Sequence, residues 1–204
     1  MASLRLKKDR RTRKTQTAIQ TALLALLEKD TFESITVQQI ADSADVHRGT
    51  FYAHYEDKYQ LLSTMEDEKI SDIRLHVENI CDQGPAYFTE GTLKQIMTTL
   101  IEHIDQDVHF YHIMFSLGSV STMSEKLYDC IYNHLGRYKR EDDTIGSMPF
   151  SYFMSYVSGA GIAMLKHWIE DEKRIEKDDL ITHFYDLVRK GPAQMIMQQS
   201  DVEA

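Results

Sequence analysis

Cysteine is almost missing from this chain: two residues, Cys81 and Cys130, in 204. Their spacing makes neither a zinc motif nor a redox pair, so they read as free thiols of a reducing compartment. Proline and glycine are also scarce, at three and nine. That leaves few turn formers for a loop-rich β fold, and no stretch keeps a period-two alternation of apolar and polar residues. No run approaches the ~18 apolar residues that a membrane-spanning helix requires. The first residues, MASLRLKKDRRTRK, are charged but lead into no apolar stretch, which excludes a secretory signal. No nucleophile motif and no glycine-rich phosphate loop is present, and no HExxH. An enzyme is therefore not expected, nor a cofactor or a metal. What remains is an all-α chain, cytoplasmic and not bound to a membrane, with 42% hydrophobic residues to bury.

A net charge of −9 would usually argue against a polyanionic partner, but the charge is unevenly placed. Residues 1–60 hold ten basic side chains against eight acidic, net +2, and residues 61–204 hold 13 against 24, net −11. The first 14 residues alone carry seven basic side chains against Asp9. A positive arm thus precedes an acidic body that would repel nucleic acid.

Directly after the arm lies the most informative stretch, Thr36–Lys58, TVQQIADSADVHRGTFYAHYEDK. Val37, Ile40, Ala41 and Ala44 share one helical face, and Thr36 with Gln39 three residues on forms a capping box. Asp45–Val46 suits a turn. A second short helix follows, about His47–Ala53, with Phe51 and Tyr55 directed at the first helix. Its other face offers Gly49, Tyr52 and Ala53 between Arg48 and Thr50: donors, an aromatic hydroxyl and little aliphatic bulk. Such a surface suits the major groove, with its acceptors and methyl groups. The alternative is an αα-corner that touches nothing.

HRGTFYAHYEDKYQLL, preceded by ITVQQIADSADV, resembles the DNA-binding domain of the TetR family of bacterial transcription regulators, over about Thr12–Ile70. The resemblance implies a homodimer, a palindromic double-stranded DNA operator and, in many members, a small-molecule effector. It places DNA contacts on Thr36, Val37, Arg48, Gly49, Thr50, Tyr52, His54 and Lys58, and His47, Ala53 and Tyr55 of the same stretch join them as DNA-binding candidates. Lys58 stands at a helix start, where the dipole disfavours cations, and a DNA phosphate would account for it. The function expected is a repressor released by its effector. The alternative is a co-activator or protein-interaction module of this family without a pocket.

The rest of the chain reads as helices. The first runs from Asp9 or Thr12 to about Lys29, and a fourth from Asp57, capped by Gln60, to about Cys81. Others are expected over about Thr89–Ile104, Val108–Leu117, Ser121–Tyr138, Pro149–Asp171 and Asp178–Lys190, about nine in all, with Glu141–Thr144 a polar connection. The domains expected are 1–60, reading DNA, and 61–204, for effector binding and dimerisation. Residues 87–168 hold thirteen aromatics and six methionines. Met97, Tyr111, Phe115, Tyr128, Tyr132, Phe153, Tyr156 and Trp168 are the candidates to line a pocket, or else make a solid core. Small residues at Gly159–Gly161 allow close helix approach. Val157, Gly161, Leu165, Phe184 and Val188 are therefore assigned to a dimer interface, packing within one chain being the alternative. His103, Asp105, Asp107, His109 and His112 crowd one stretch. The i, i+3 pair His109–His112 could chelate zinc, but solvated or capping histidines are the simpler reading.

Overall fold

The computed structural model describes residues 2–80 and 89–195, with side chains from residue 10 onward. Among the described residues nine α-helices follow one another: α1 Ala2–Leu27, α2 Val37–Ser43, α3 Arg48–Tyr52, α4 Lys58–Ile80, α5 Glu90–Gln106, α6 Val108–Ser116, α7 Met123–Leu135, α8 Phe150–Glu170 and α9 Lys177–Lys190. The helical class agrees with the sequence. Two details differ. Helix α1 starts at Ala2, because residues 2–12 contain neither proline nor glycine and are rich in strong helix formers. The connection before α8 is not irregular: β1 Thr144–Ile145 and β2 Met148–Pro149 pair antiparallel around Gly146, whose φ is 61°. Cys81, the Gly84–Pro85 break and the tail beyond Met195 lie outside the described residues.

The chain divides into two compact units. The first comprises Met1–Ile70 with His112–Lys126, the second Ser71–Tyr111 with Leu127–Ala204. The division falls inside α4, ten residues beyond the boundary expected at 60, and inside α6 and α7.

The first unit is built on Ile19, Leu23, Phe32, Ile35, Ile40, Phe51 and Leu61, all essentially inaccessible. Glu66 of α4 is buried too, and both its carboxyl oxygens have partners. It accepts from Ser121 Oγ at 2.6 Å, Thr122 N at 3.0 Å and Thr122 Oγ1 at 2.6 Å. The Lys126 ammonium stands 3.3 Å away and also reaches Asp67 at 2.7 Å and the Ser63 carbonyl at 2.9 Å. A buried charge survives only when paired and hydrogen-bonded in this way. The network clamps the start of α7 to the middle of α4.

In the second unit Ile101, Ile104, Tyr111, Phe150, Met154, Leu165, Trp168 and Leu180 form the core. Gly161 lets α9 close on α8: a Cβ there would stand 3.4 Å from the Phe184 ring.

Candidate nucleic-acid interface

Helix α2 opens with the capping box read from the sequence. Thr36 Oγ1 accepts from Gln39 N at 3.2 Å, and Gln39 Oε1 accepts from Thr36 N at 2.8 Å. The helix ends in a Schellman motif. Asp45 adopts φ 53°, its N–H donates to Asp42 O at 3.2 Å, and Val46 N donates to Ala41 O at 3.0 Å. Asp45 serves here through its left-handed backbone, which Asp tolerates better than most side chains, rather than through carboxylate bonds to nearby amides. His47 then starts α3 without a side-chain cap, and Ala53 ends it.

Only one residue of α3, Phe51, is buried. The outer face carries His47, Arg48, Gly49, Tyr52 and Ala53, all exposed, with Thr50 and His54 half-buried. No atom lies within 4 Å of where a Gly49 Cβ would be. Arg48 Nη2 donates to Tyr52 OH at 3.0 Å, and the guanidinium sits 5.3 Å from that ring. Two polar side chains one turn apart are thus held together in solvent. Thr36 and Val37 flank this face from the start of α2, exposed and half-buried. Arg10, Arg11, Arg13 and Lys14 are exposed along α1.

Two residues assigned to DNA contact are placed elsewhere. Tyr55 is 3% exposed, rests 5.7 Å from Phe51 centroid to centroid, and its hydroxyl accepts from Gln20 Nε2 at 3.5 Å. Burial raises its pKa. It is a core anchor and has no access to DNA. Lys58 is the sharper correction. Its ammonium donates to three main-chain carbonyls, Phe32 and Ile35 at 2.7 Å each and Glu33 at 3.0 Å, and lies 4.8 Å from the Phe32 ring. An ammonium has three protons, and all three are committed. The α4 start is capped independently: Asp57 accepts from Gln60 N at 2.7 Å, and Gln60 Oε1 from Glu56 N at 2.6 Å. Lys58 therefore ties the α1–α2 loop to α4 instead of binding a phosphate. Its odd position at a helix start was visible in the sequence, but the carbonyl cluster that explains it lies more than twenty residues away in the chain.

The second unit contains a cavity of about 150 Å³. Its walls come from α4, α5, α7, α8 and α9: Ile73 and Val77; Leu93, Ile96, Met97 and Leu100; Leu127, Cys130, Ile131, His134 and Leu135; Val157, Gly161, Ile162 and Leu165; Phe184 and Val188. Of the expected pocket residues only Met97 is among them. Tyr111 and Phe115 are buried elsewhere. Tyr128 and Tyr132 stack at 6.0 Å, and Phe153 stacks on Phe150 at 6.3 Å. Tyr156 faces solvent, and Trp168 is buried with its indole N–H on Ile175 O at 2.8 Å. Those aromatics thus make core and surface, while mostly aliphatic side chains, with Phe184 and His134, line the space. Conversely, Val157, Gly161, Leu165, Phe184 and Val188, assigned to a dimer interface, all line this cavity. The cause is the helical register of α8, which turns Met154, Ser158, Gly161 and Leu165 inward and leaves Tyr152, Ser155, Tyr156, Gly159, Ala160 and Ala163 outside.

Burial lowers the His134 pKa, with the Arg137 charge adding to the effect, and raises that of the Cys130 thiol against the pull of Arg74. The histidine-rich stretch does not converge: Asp105 faces Arg174 and Lys177 at 3.8 and 3.9 Å, His109 and His112 are exposed, and among the described residues no group of three potential ligands could hold a metal ion.

A capped helix, a left-handed turn and a short bare helix over a shared core define a helix-turn-helix protein. Comparison with known proteins specifies the class. Residues 19–65 match the family model described as bacterial regulatory proteins, tetR family, and residues 91–190 match one described as transcriptional regulator C-terminal region. The chain belongs to the TetR family. It is 26% identical over 179 residues to an uncharacterised HTH-type transcriptional regulator of Bacillus subtilis, YxbF. That match takes in 86% of this chain but 45% of the relative, so the chain spans about half the length of the curated protein it matches. Among solved structures, a TetR transcriptional regulator from Streptococcus agalactiae aligns with a TM-score of 0.58 at 24% identity, over 90% of this chain and 98% of that one. The TetR-family repressor FadR of Thermus thermophilus, solved in complex with lauroyl-CoA, aligns with a TM-score of 0.58 at 18% identity, over 87% and 94%. At these identities the likeness is one of fold. Among the described residues no helix is long and apolar enough to cross a membrane.

Proposed function

We propose that the protein is a homodimeric DNA-binding transcriptional regulator, acting as a repressor released by a small-molecule effector, in the cytoplasm where its operator lies. The observation that carries this is the outer face of α3. Arg48, Gly49 and Tyr52 are exposed; the Arg48 and Tyr52 side chains bond each other and the Tyr52 ring rests on Phe51, which leaves their polar edges open to solvent. In a major groove Gly49 permits close approach, and Arg48 and Tyr52 reach base edges. The exposed arginines of α1 add phosphate contacts that set register.

The outer face of α8 supports dimerisation. Tyr152 and Tyr156 are 71% and 62% exposed, next to the small residues Gly159, Ala160 and Ala163. That stripe, rather than the cavity-lining set, is the surface two copies would share. Two α3 helices then enter successive major grooves about 34–36 Å apart.

The cavity is the effector site in this reading, and the lauroyl-CoA bound to the fold neighbour FadR supports it. Ile73 and Val77 bring the cavity wall onto α4, the helix that follows the recognition helix in the chain. Coupling of about 1–3 kcal/mol between the two sites would change operator affinity roughly 5- to 150-fold.

Selection of bound fragments from sheared genomic DNA, followed by footprinting, tests the reading. A palindromic site with half-sites about one helical turn apart is expected. Equal affinity for all fragments, or none, rejects it. A promoter reporter then separates repression from activation.

A further inference from the structure

The cavity of the second unit is apolar along its whole surface, yet it adjoins a recess of about 30 Å³ that charged side chains help to line. The two share Val77, Cys130 and His134 as a common wall. On its outer side the recess is lined by Arg74, Glu78, Asn133 and Arg137. Two guanidinium groups and one carboxylate thus belong to its wall. Arg137 touches Glu78 at 3.5 Å, and the Arg74 charge draws the Cys130 pKa down against the effect of burial. A polar group carried into the apolar part would lose its water and find no partner. A cationic group at the recess would meet two like charges.

Taking the cavity as the effector site of the preceding reading, we infer that it takes an amphiphile with an unbranched aliphatic chain and an anionic headgroup, a medium-chain carboxylate. The chain fills the space between α5, α7, α8 and α9, and the head rests at Arg74 and Arg137. The volume limits the chain. An apolar cavity of about 150 Å³ encloses one benzene-sized molecule, so about six carbons fill it.

Calorimetric titration of the full chain, backed by thermal-shift measurement, tests the inference with butanoate, hexanoate, octanoate, octan-1-ol, octyltrimethylammonium and octanoyl-CoA. Affinity should rise about fourfold per added methylene, equivalent to about 0.8 kcal/mol, and level off near octanoate. Octan-1-ol should bind about five- to tenfold more weakly than octanoate, because it lacks the charged hydrogen bonds. The cation should not bind. Changing both Arg74→Gln and Arg137→Gln should bring octanoate down to the level of octan-1-ol and leave the alcohol unaffected. Val157→Phe should block both ligands, and Ile131→Phe repeats the test if the first variant lowers the melting temperature. Octanoyl-CoA binding with the same arginine dependence supports a carrier-bound acyl group as the natural source, and its exclusion supports the free acid. Alcohol equal to or better than carboxylate overturns the anionic head while leaving the effector-site reading intact. No binding of any probe, with Val157→Phe indistinguishable from the parent, overturns both, and DNA selection still decides the regulator reading separately.

Discussion

Replacing Lys58 by methionine separates two roles that one lysine could have. The side chain keeps its length but loses three donors. Their acceptors, the Phe32, Glu33 and Ile35 carbonyls, lie at 2.7, 3.0 and 2.7 Å, and the contacts to Phe32 and Ile35 are partly buried. A hydrogen bond from a charged donor is worth about 1.5–3 kcal/mol in a favourable setting. Lys58 is half-buried and its three bonds act as one group, so water recovers part of the loss. About 2–4 kcal/mol of stability should disappear. For a protein of this size that corresponds to roughly 4–16 °C in Tm. Circular dichroism melts and urea titrations measure it. DNA affinity is then compared over a salt series well below the variant's Tm. A phosphate contact would contribute about one unit to the slope of log K against log salt. The structure predicts an unchanged slope with a lowered Tm. An unchanged Tm with a slope reduced by about one would restore the phosphate role and refute the assignment of Lys58 as a tie between the α1–α2 loop and α4.

Other substitutions probe the remaining parts. Gly49→Ala should raise stability by about 0.5–1 kcal/mol, since its Cβ meets open space, yet weaken operator binding, a split that a purely structural glycine would not show. Tyr52→Ala should cost about 1–3 kcal/mol on the selected operator and little on random DNA in a competition assay; equal losses on both argue against base readout. Glu66→Ala takes the acceptor from Ser121 Oγ, Thr122 N and Thr122 Oγ1 while Lys126 keeps Asp67 and Ser63, and should destabilise in urea unfolding by about 1–3 kcal/mol for each donor left buried without a partner. His134 has a folded pKa below its usual value, so the unfolded chain takes up its proton first as pH falls. The stability this contributes is complete above the ordinary histidine range near about 6.5 and is lost as pH drops through the lower folded value; His134→Gln should flatten that acid limb in melts from pH 7 to 5.

The local chemistry of the helix-turn-helix was legible from residues alone. Thr36 with Gln39, Asp45 in the turn, and Phe51 and Tyr55 opposite Gly49 and Tyr52 all act within four or five neighbours along the chain. Capping and helical period are short-range properties, so sequence order carries them. Helix number and class follow for the same reason, except at the hairpin before α8. Two residues per strand are too few to show an alternation.

The fates of Lys58, Glu66 and the cavity needed the assembled fold. The ammonium of Lys58 finds carbonyls 23 to 26 positions away, and Glu66 finds donors 55 and 56 positions away. Whether Gly161 and Leu165 serve a partner or the chain's own interior depends on how α8 is rotated. A hydrophobic stripe on a sequence shows that a face is covered, not by what. Periodicity records only which side chains leave water. The atoms that meet them are set by packing between segments distant in the chain.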